Sequence, residues 1–457
     1  MKAIFAPENR IITERRFWVA VLKAQIAAGL EAPASVVTDY EAVIENVDLA
    51  SIRRRELELK HDIPAKLGEF NALAGHQHAH KGMTSRDLTE NVEVILMSQA
   101  LELVRQRALS ILNLFVAKAE KYSDLATVAR THNVPAQPTT VGKRFATYAE
   151  ELMHHLDALS SVMERAKLRG VKGPVGSAQD QINLLGSPAA AAALGETVAA
   201  EFGFADQLTA VGQVYPRSYD FEVASALYAL ASAPSNFATQ VRLMAGTELA
   251  SEGFGKNQVG SSAMPHKMNA RSCERINGLH QVMKGFMDMS ASLTGSQWNE
   301  GNVACSVVRR VAIPNMFLTI DGLFETTFAV LRGLEFYEPM IEAELKRYLP
   351  FLSTTTLLMH AVKAGVGRED AHETIKAHAV ETAIEIRNGK GDGRMLLEKL
   401  AADSAFPGNL DELTSLVSTA DELLGDTSTQ IKRVAEMAQS HIGRDPKSVD
   451  YQGQEIL

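Results

Sequence analysis

An all-α fold is predicted for this chain of 457 residues by its composition and by two long apolar seams. Aromatics make up only 6% of it and prolines number 15, while alanine and leucine are abundant, a balance that suits helices better than sheets. Val94, Met97, Leu101, Val104, Ala108, Ile111 and Phe115 step by three and four, and so do Val141, Phe145, Tyr148, Leu152, His155, Leu159 and Val162. Such heptad seams predict long helices packed lengthwise in a bundle.

Taken in order, the first helix is expected to be capped by Thr13, to carry Phe17, Val21, Ala24 and Ala28 on one face, and to end at Gly29. Ile63 to Gly82 has little strand signal, and Gly82 reads as a stop before Met83-Thr84-Ser85-Arg86-Asp87, the entrance to the first seam. Ile95, Leu96, Leu103, Leu109, Leu112 and Leu114 flank that seam and ask for more partners than one chain offers. Further helical patterns cover Phe221 to Leu249, Ile276 to Leu293 and Val311 to Phe336, with Pro234 and Pro314 as kinks or breaks. Around Tyr348-Leu349-Pro350 the pattern shortens, which places a domain boundary there. The polar tail from Asp445 is expected to be loose.

Composition also excludes classes of function. A formal net charge of −9 argues against a general nucleic-acid or anionic-membrane binder. Cys273 and Cys305 are too few for a disulfide framework, so a reducing cytoplasm is expected. The run from Phe17 to Leu30 is interrupted by Lys23 and Gln25, and no segment approaches the roughly 20 apolar residues of a membrane span. Neither a P-loop, a Rossmann fingerprint nor a Gly-x-Ser-x-Gly elbow occurs. His76, His78 and His80 suggest zinc, but on a helix His76 and His80 share a face that His78 does not, and no fourth ligand is evident, so no metal is assigned.

The most informative stretch is Gly260-Ser261-Ser262-Ala263-Met264-Pro265-His266-Lys267-Met268-Asn269, followed by Ala270-Arg271-Ser272-Cys273-Glu274-Arg275. It reads as a loop ending in two hydroxyls, then a helix start offering a lysine, an amide and free N–H groups, which suits an anion. Lys60-His61-Asp62, His80 to Asp87, and Thr131-His132-Asn133 running on to Lys143-Arg144 each put a histidine beside small polar residues, at or near a helix end. Singly each is a cap or a turn. With the serine loop they supply a base, an acid and anion donors, the parts of an elimination.

On these residues the chain resembles the fumarase/aspartase superfamily, whose signature matches Gly260 to Asn269, and its adenylosuccinate lyase branch, which Arg271 to Arg275 resembles. The resemblance implies three all-α domains, taken as 1–92, 93–346 and 347–457, and a homotetramer built around a twenty-helix core, with active sites drawing His61 and His80, His132, and Ser261 from different subunits. It implies release of fumarate by β-elimination from a succinylated purine nucleotide, without cofactor or metal. Ser261 then matches the general base, His132 the general acid and Glu274 the carboxylate that orients a histidine; Lys267 and Asn269, with the following N–H groups, match the stabilisers of the doubly charged intermediate. Lys60, His61, Asp62, His80, Thr84, Ser85, Gln213, Ser262, Met268, Arg275, Ser306 and Arg310 match positions that hold the substrate.

Three positions depart from the branch. Val134 stands where a glutamine is usual, Gly301 where an arginine is common, and an amino-terminal Arg-Tyr pair has no counterpart, so the sequence is expected to start late. The resemblance leaves two other readings open. One is a related lyase or cycloisomerase, acting on argininosuccinate or carboxymuconate, against which Lys60-His61-Asp62 and Thr84-Ser85 speak. The other is a non-catalytic helical scaffold, against which the set Ser261, His132, Lys267 and Asn269 speaks.

Overall fold

Helix follows helix along the chain with two small sheets between them, in a computed structural model that describes residues 1–254, 263–264, 266–417 and 420–455. The order begins α1 (Pro7–Ala27), α2 (Val36–Glu41), α3 (Leu49–Leu59), α4 (Asp62–Ala74) and α5 (Ser85–Lys121). A hairpin of β1 (Ala126–Thr131) and β2 (Val134–Thr140) leads into α6 (Val141–Glu164), α7 (Gln179–Leu185), α8 (Pro188–Glu201), α9 (Ser218–Leu230) and α10 (Ser232–Ala245). After β3 (Ala250–Ser251) come α11 (Arg271–Ala291) and α12 (Ala304–Gly333), then β4 (Glu335–Phe336), which pairs antiparallel with β3. Helices α13 (Glu338–Leu352), α14 (Thr354–Lys363), α15 (Arg368–Arg387), α16 (Arg394–Ala402), α17 (Leu410–Leu416) and α18 (Thr427–Ile442) complete the order. The chain divides into two units: Met1–Arg107 with His155–Ala231 and Gly278–Leu323, and Ala108–His154 with Ser232–Asn277 and Phe324–Leu457.

In the first unit, α1 buries Phe17, Trp18, Val21 and Leu22, and the opening half of α5 buries Val94, Met97, Leu101 and Val104. Trp18 stacks on Phe70 of α4 with ring centroids 6.1 Å apart. In the second unit an aromatic cluster forms where Phe115 of α5 meets Phe237 of α10 at 5.4 Å and Phe145 of α6 at 6.2 Å. A separate apolar cluster in the same unit gathers Leu357, Ala371, Leu396, Leu400 and Leu413 from α14 to α17.

The seams are therefore helices with buried stripes, and every apolar member of both is buried. The flanking positions differ from expectation: this chain itself buries Ile95, Leu96, Leu109 and Leu112, and leaves Leu103 and Leu114 half-buried. Helix α1 starts earlier than expected, at Pro7, because proline suits the first helical position, where its missing N–H would have no partner anyway. Thr13 lies inside that helix, its hydroxyl bonded back to the Asn9 carbonyl at 2.8 Å. Helix α4 ends at Gly75 rather than Gly82, with Gly75 at φ 72° closing it in the left-handed conformation that glycine tolerates. The Phe221 to Leu249 pattern splits at Ala231, with Pro234 in the first turn of α10, while Pro314 sits inside an unbroken α12. Tyr348 to Pro350 lies within α13. The tail is tied down, since Glu325 accepts bonds from Tyr451 and from the Gln454 N–H at 2.7 Å.

The hairpin is the element that the all-α expectation misses. Thr131 pairs with Val134, so His132 and Asn133 form the two-residue turn, at φ 51° and 62°. Positive φ at both central residues is the signature of a type I′ turn, whose twist matches the strands it joins. Gly142, just past the hairpin, is required for a different reason: a Cβ there would come within 2.3 Å of the Ala119 carbonyl.

Truncating Phe115 to alanine removes the ring shared by α5, α6 and α10. We expect Phe115→Ala to cost about 3–5 kcal/mol of stability, read as a lowered thermal midpoint by differential scanning calorimetry.

Candidate active site

In the first unit the expected site residues stand on helix ends. Lys60 takes a left-handed conformation, φ 56°, as the C-cap of α3. His61 caps α4, its Nδ1 accepting from the Ile63 N–H at 3.3 Å, beside Asp62. His80, at φ 68°, accepts a hydrogen bond on Nδ1 from the Trp18 indole at 2.9 Å. Burial, aided by the nearby His61, holds the His80 pKa down to about 4. With Nδ1 accepting, the neutral ring carries its proton on Nε2, a donor aimed away from Trp18. The other two histidines of that run have partners of their own: His76 faces Asp39 at 2.7 Å and His78 faces Lys81 at 2.8 Å. The run follows the Gly75 cap rather than lying on a helix face.

Thr84 and Ser85 begin α5, and Asp87 holds them there by accepting the Thr84 N–H at 2.8 Å. Fully buried, Asp87 also accepts the N–H groups of Lys172 and Gly173, at 2.8 and 3.0 Å, and pairs with the buried Arg169. Arg169 in turn donates to the carbonyls of Gly173 and Gly212, each at 2.7 Å. The residue after Gly212 is Gln213, whose N–H bonds to the Glu300 carbonyl at 2.8 Å. Asp87 and Arg169 thus fix Thr84, Ser85 and Gln213 together.

Gly301 falls in the same place. A Cβ on it would meet the Gln213 side chain at 3.2 Å, so an arginine at 301 requires Gln213 to move. Ser306 accepts from Arg86 at 2.9 Å, while Arg310 on α12 is exposed. Neither Arg169 nor Arg86 was singled out from sequence. For Asp87 there was a usable signal, its place three residues after Thr84 as in a capping box; for Arg169 there was none.

The second unit holds the other group. His132 sits in the hairpin turn, flanked by exposed Thr131, Asn133 and Val134, which corrects its expected place at a helix end. Lys267, Met268, Asn269 and Glu274 line a cavity of about 880 Å³ together with Arg242 and Ser251. Glu274 lies 3.9 Å from Arg242. Arg275 is exposed on the first turn of α11. Ser261 and Ser262 lie outside the described residues.

The start of α11 is not free, as the sequence had suggested. Buried Glu252 accepts the N–H groups of Ser272 and Cys273 at 3.0 and 2.9 Å, and those of Arg271 and Glu274 bond to the carbonyls of Asn269 and Ala270. The positive end of the helix already has a carboxylate, placed where its dipole favours one. Burial and that carboxylate push the Cys273 thiol up, away from the thiolate form. Among the described residues, the groups lining this cavity that can face an anion include the Lys267 ammonium, the Asn269 amide and the Arg242 guanidinium.

Comparison with known proteins adds to this geometry. Residues 6–285 match the family model described as Lyase, and residues 350–434 match that of the adenylosuccinate lyase C-terminus. The chain is 30% identical to the adenylosuccinate lyase of Saccharomyces cerevisiae, over 97% of this chain and 92% of that one. It is 28% identical to the adenylosuccinate lyase of Pyrococcus abyssi, over 87% and 86%. The fold resembles a fumarate lyase from Mesorhizobium, with TM-score 0.81 and 18% identity over 95% of this chain and 97% of the other. It equally resembles a 3-carboxy-cis,cis-muconate lactonizing enzyme from Pseudomonas putida, with TM-score 0.81 and 20% identity over 96% and 97%.

The His80 environment carries a pH dependence. Its folded pKa lies below the ordinary 6.5, so the unfolded chain binds the proton first, and stability falls as pH drops from about 6.5 towards about 4. His80→Gln, which keeps an acceptor for Trp18, is expected to flatten thermal midpoint against pH across that window; an unchanged slope would remove His80 as its source.

Proposed function

The chain belongs to the adenylosuccinate lyase family, and from that membership we infer that it is a C–N lyase eliminating fumarate from adenylosuccinate to leave AMP. The observation that carries this is likeness to adenylosuccinate lyases over nearly the full length, joined by the family's own C-terminal match. The fold alone is shared with a lactonizing enzyme and does not choose between them. By the same reading the second substrate is the succinylated imidazole-carboxamide ribotide of purine synthesis.

The reaction removes a weakly acidic proton beside a carboxylate, and the dianion so formed has to be stabilised where it arises. We assign Ser261 as the base; its hydroxyl requires a shielded, positive setting to act near neutral pH. Lys267 and Asn269 meet the developing charge, while the N–H groups of Ser272 and Cys273 at the start of α11 are bonded to Glu252. The C–N bond then breaks, and His132 protonates the departing nitrogen, a task suited to imidazole. His132 is exposed on its hairpin, ready for a group brought to it. Glu274 orients a histidine once the site is assembled. His61, His80, Thr84, Ser85 and Gln213, with Ser306 and Arg310, hold the nucleotide and succinyl ends, and the neutral His80 does so as a donor from Nε2. Lys60, Asp62, Ser262, Met268 and Arg275 complete the substrate contacts.

We further propose a homotetramer in which these groups meet from different subunits. Supporting it is an apolar stripe on α12 and its approach, where Val303 and Val307 are 70% and 65% exposed and Val311 and Leu318 continue the same line. Stripes of that kind mark association surfaces. The match beginning at residue 350 supports a C-terminal domain over 347–457, beside 1–92 and 93–346. Among the described residues no helix is long and apolar enough to cross a membrane. A cytoplasmic location accords with two free cysteines.

Incubation with adenylosuccinate, following its absorbance together with fumarate release, tests the activity; turnover only of argininosuccinate or carboxymuconate would refute it. Ser261→Ala and His132→Gln are each expected to lower kcat by about 10²–10⁴-fold with substrate still bound, and near-normal turnover removes the assigned role. Val307→Asp is expected to dissociate the assembly by light scattering and to lower activity with it.

A further inference from the structure

Beneath the hairpin of the second unit lies another cavity, of about 720 Å³, lined by none of the residues matched to substrate. Its wall carries Arg130, Lys143 and Arg144, and no aspartate or glutamate is among the described residues that line it. Arg130 is paired with Glu344, which stands outside the wall. Among the described residues no carboxylate is bonded to Lys143 or Arg144: the Lys143 ammonium reaches the Thr147 hydroxyl at 3.4 Å, and Arg144 donates to the Val128 carbonyl at 2.8 Å and the Met244 sulfur at 3.3 Å. A thioether is a weak acceptor, so much of the guanidinium's capacity is unspent.

Their position makes this unusual. Lys143 and Arg144 are the third and fourth residues of α6, at the positive end of its dipole, where acidic side chains are favoured and none is present. The N–H groups of that first turn are already taken, those of Val141 and Gly142 by carbonyls at 2.9 and 2.8 Å and that of Lys143 by Thr140 Oγ1 at 2.9 Å. Helix and side chains therefore add their positive potential in one place, within a chain of net charge −9. Burial also pulls the Arg144 pKa down, against the opposing pull of Tyr148 and Glu344. The same lining includes the apolar residues Val128, Leu243 and Leu249. The volume is that of a small-molecule site, which characteristically joins an apolar wall to a few convergent polar groups.

We propose that this cavity is a second, non-catalytic binding site for a phosphate-bearing small molecule, with Lys143 and Arg144 holding the phosphate and the apolar wall receiving the organic part. Guanidinium and ammonium together suit a phosphate dianion, one by a planar fork and the other as a point charge. The phosphate could be free or borne by a nucleotide.

Calorimetric titration of the full-length protein with inorganic phosphate, and separately with AMP, tests this. Phosphate is expected to bind, and Lys143→Gln and Arg144→Gln are each expected to weaken that binding about tenfold or more while the KM for adenylosuccinate stays within about twofold of wild type. If AMP shows two sites and the variants lose one, the natural ligand is a nucleotide; if AMP shows one site that the variants keep, it is free phosphate. Should Arg144→Gln fold poorly, the half-buried Lys143→Gln decides. Phosphate affinity unchanged in the variants overturns the proposal, as does a KM that rises in step with the lost binding, since the cations would then serve the reaction site.

Discussion

Much of the first unit hangs on one buried pair, Asp87 with Arg169. Both are fully buried, and between them they satisfy N–H and carbonyl groups of three separate stretches, around Thr84, 170–173 and 212. A buried charge is tolerated only when paired and fully hydrogen-bonded, and removing one partner of such a pair typically costs about 3–5 kcal/mol. The pair thus restricts the loops bearing Thr84, Ser85 and Gln213 to one arrangement. Rigid presentation of that sort is what a binding surface needs, since slack of an ångström in a contact forfeits much of its worth.

The second unit uses the same device with a different outcome. Glu252 plays for α11 the part that a bound anion plays at many helix starts, so the helix dipole is spent on structure. In the proposed mechanism this moves charge stabilisation onto Lys267 and Asn269, whose side chains can shift with the substrate in a way that backbone cannot. At α6 the arrangement is reversed: cations stand where an acid belongs, and the carboxylate is missing. Both helix starts have their N–H groups bonded within the chain, but one holds a carboxylate and the other carries two cations, and that contrast is the physical basis for assigning them different uses.

Departures from the family acquire physical content when placed in the fold. Gly301 allows the segment of Gln213 to approach closely, so its missing side chain and that approach are one feature. Val134 is an exposed residue beside the His132 turn, so replacing a polar side chain there leaves the hairpin register intact.

The sequence by itself determined the long helices, because burial at every third or fourth residue is written locally, and both seams could be read to the residue. It also carried the candidate site as a set of motifs, since Lys60 to Asp62, Thr84 with Ser85, His132 and Lys267 with Asn269 are short contiguous strings. Only the tertiary structure decided what those strings rest on. Arg169 meets Asp87 across 82 residues and Glu252 meets Cys273 across 21, and no local period announces a partner at such a distance. The hairpin escaped for a related reason: its strands hold Pro135 and Pro138, and its turn is His-Asn rather than Asn-Gly, so strand propensity is weak and pairing with a neighbour supplies what propensity does not.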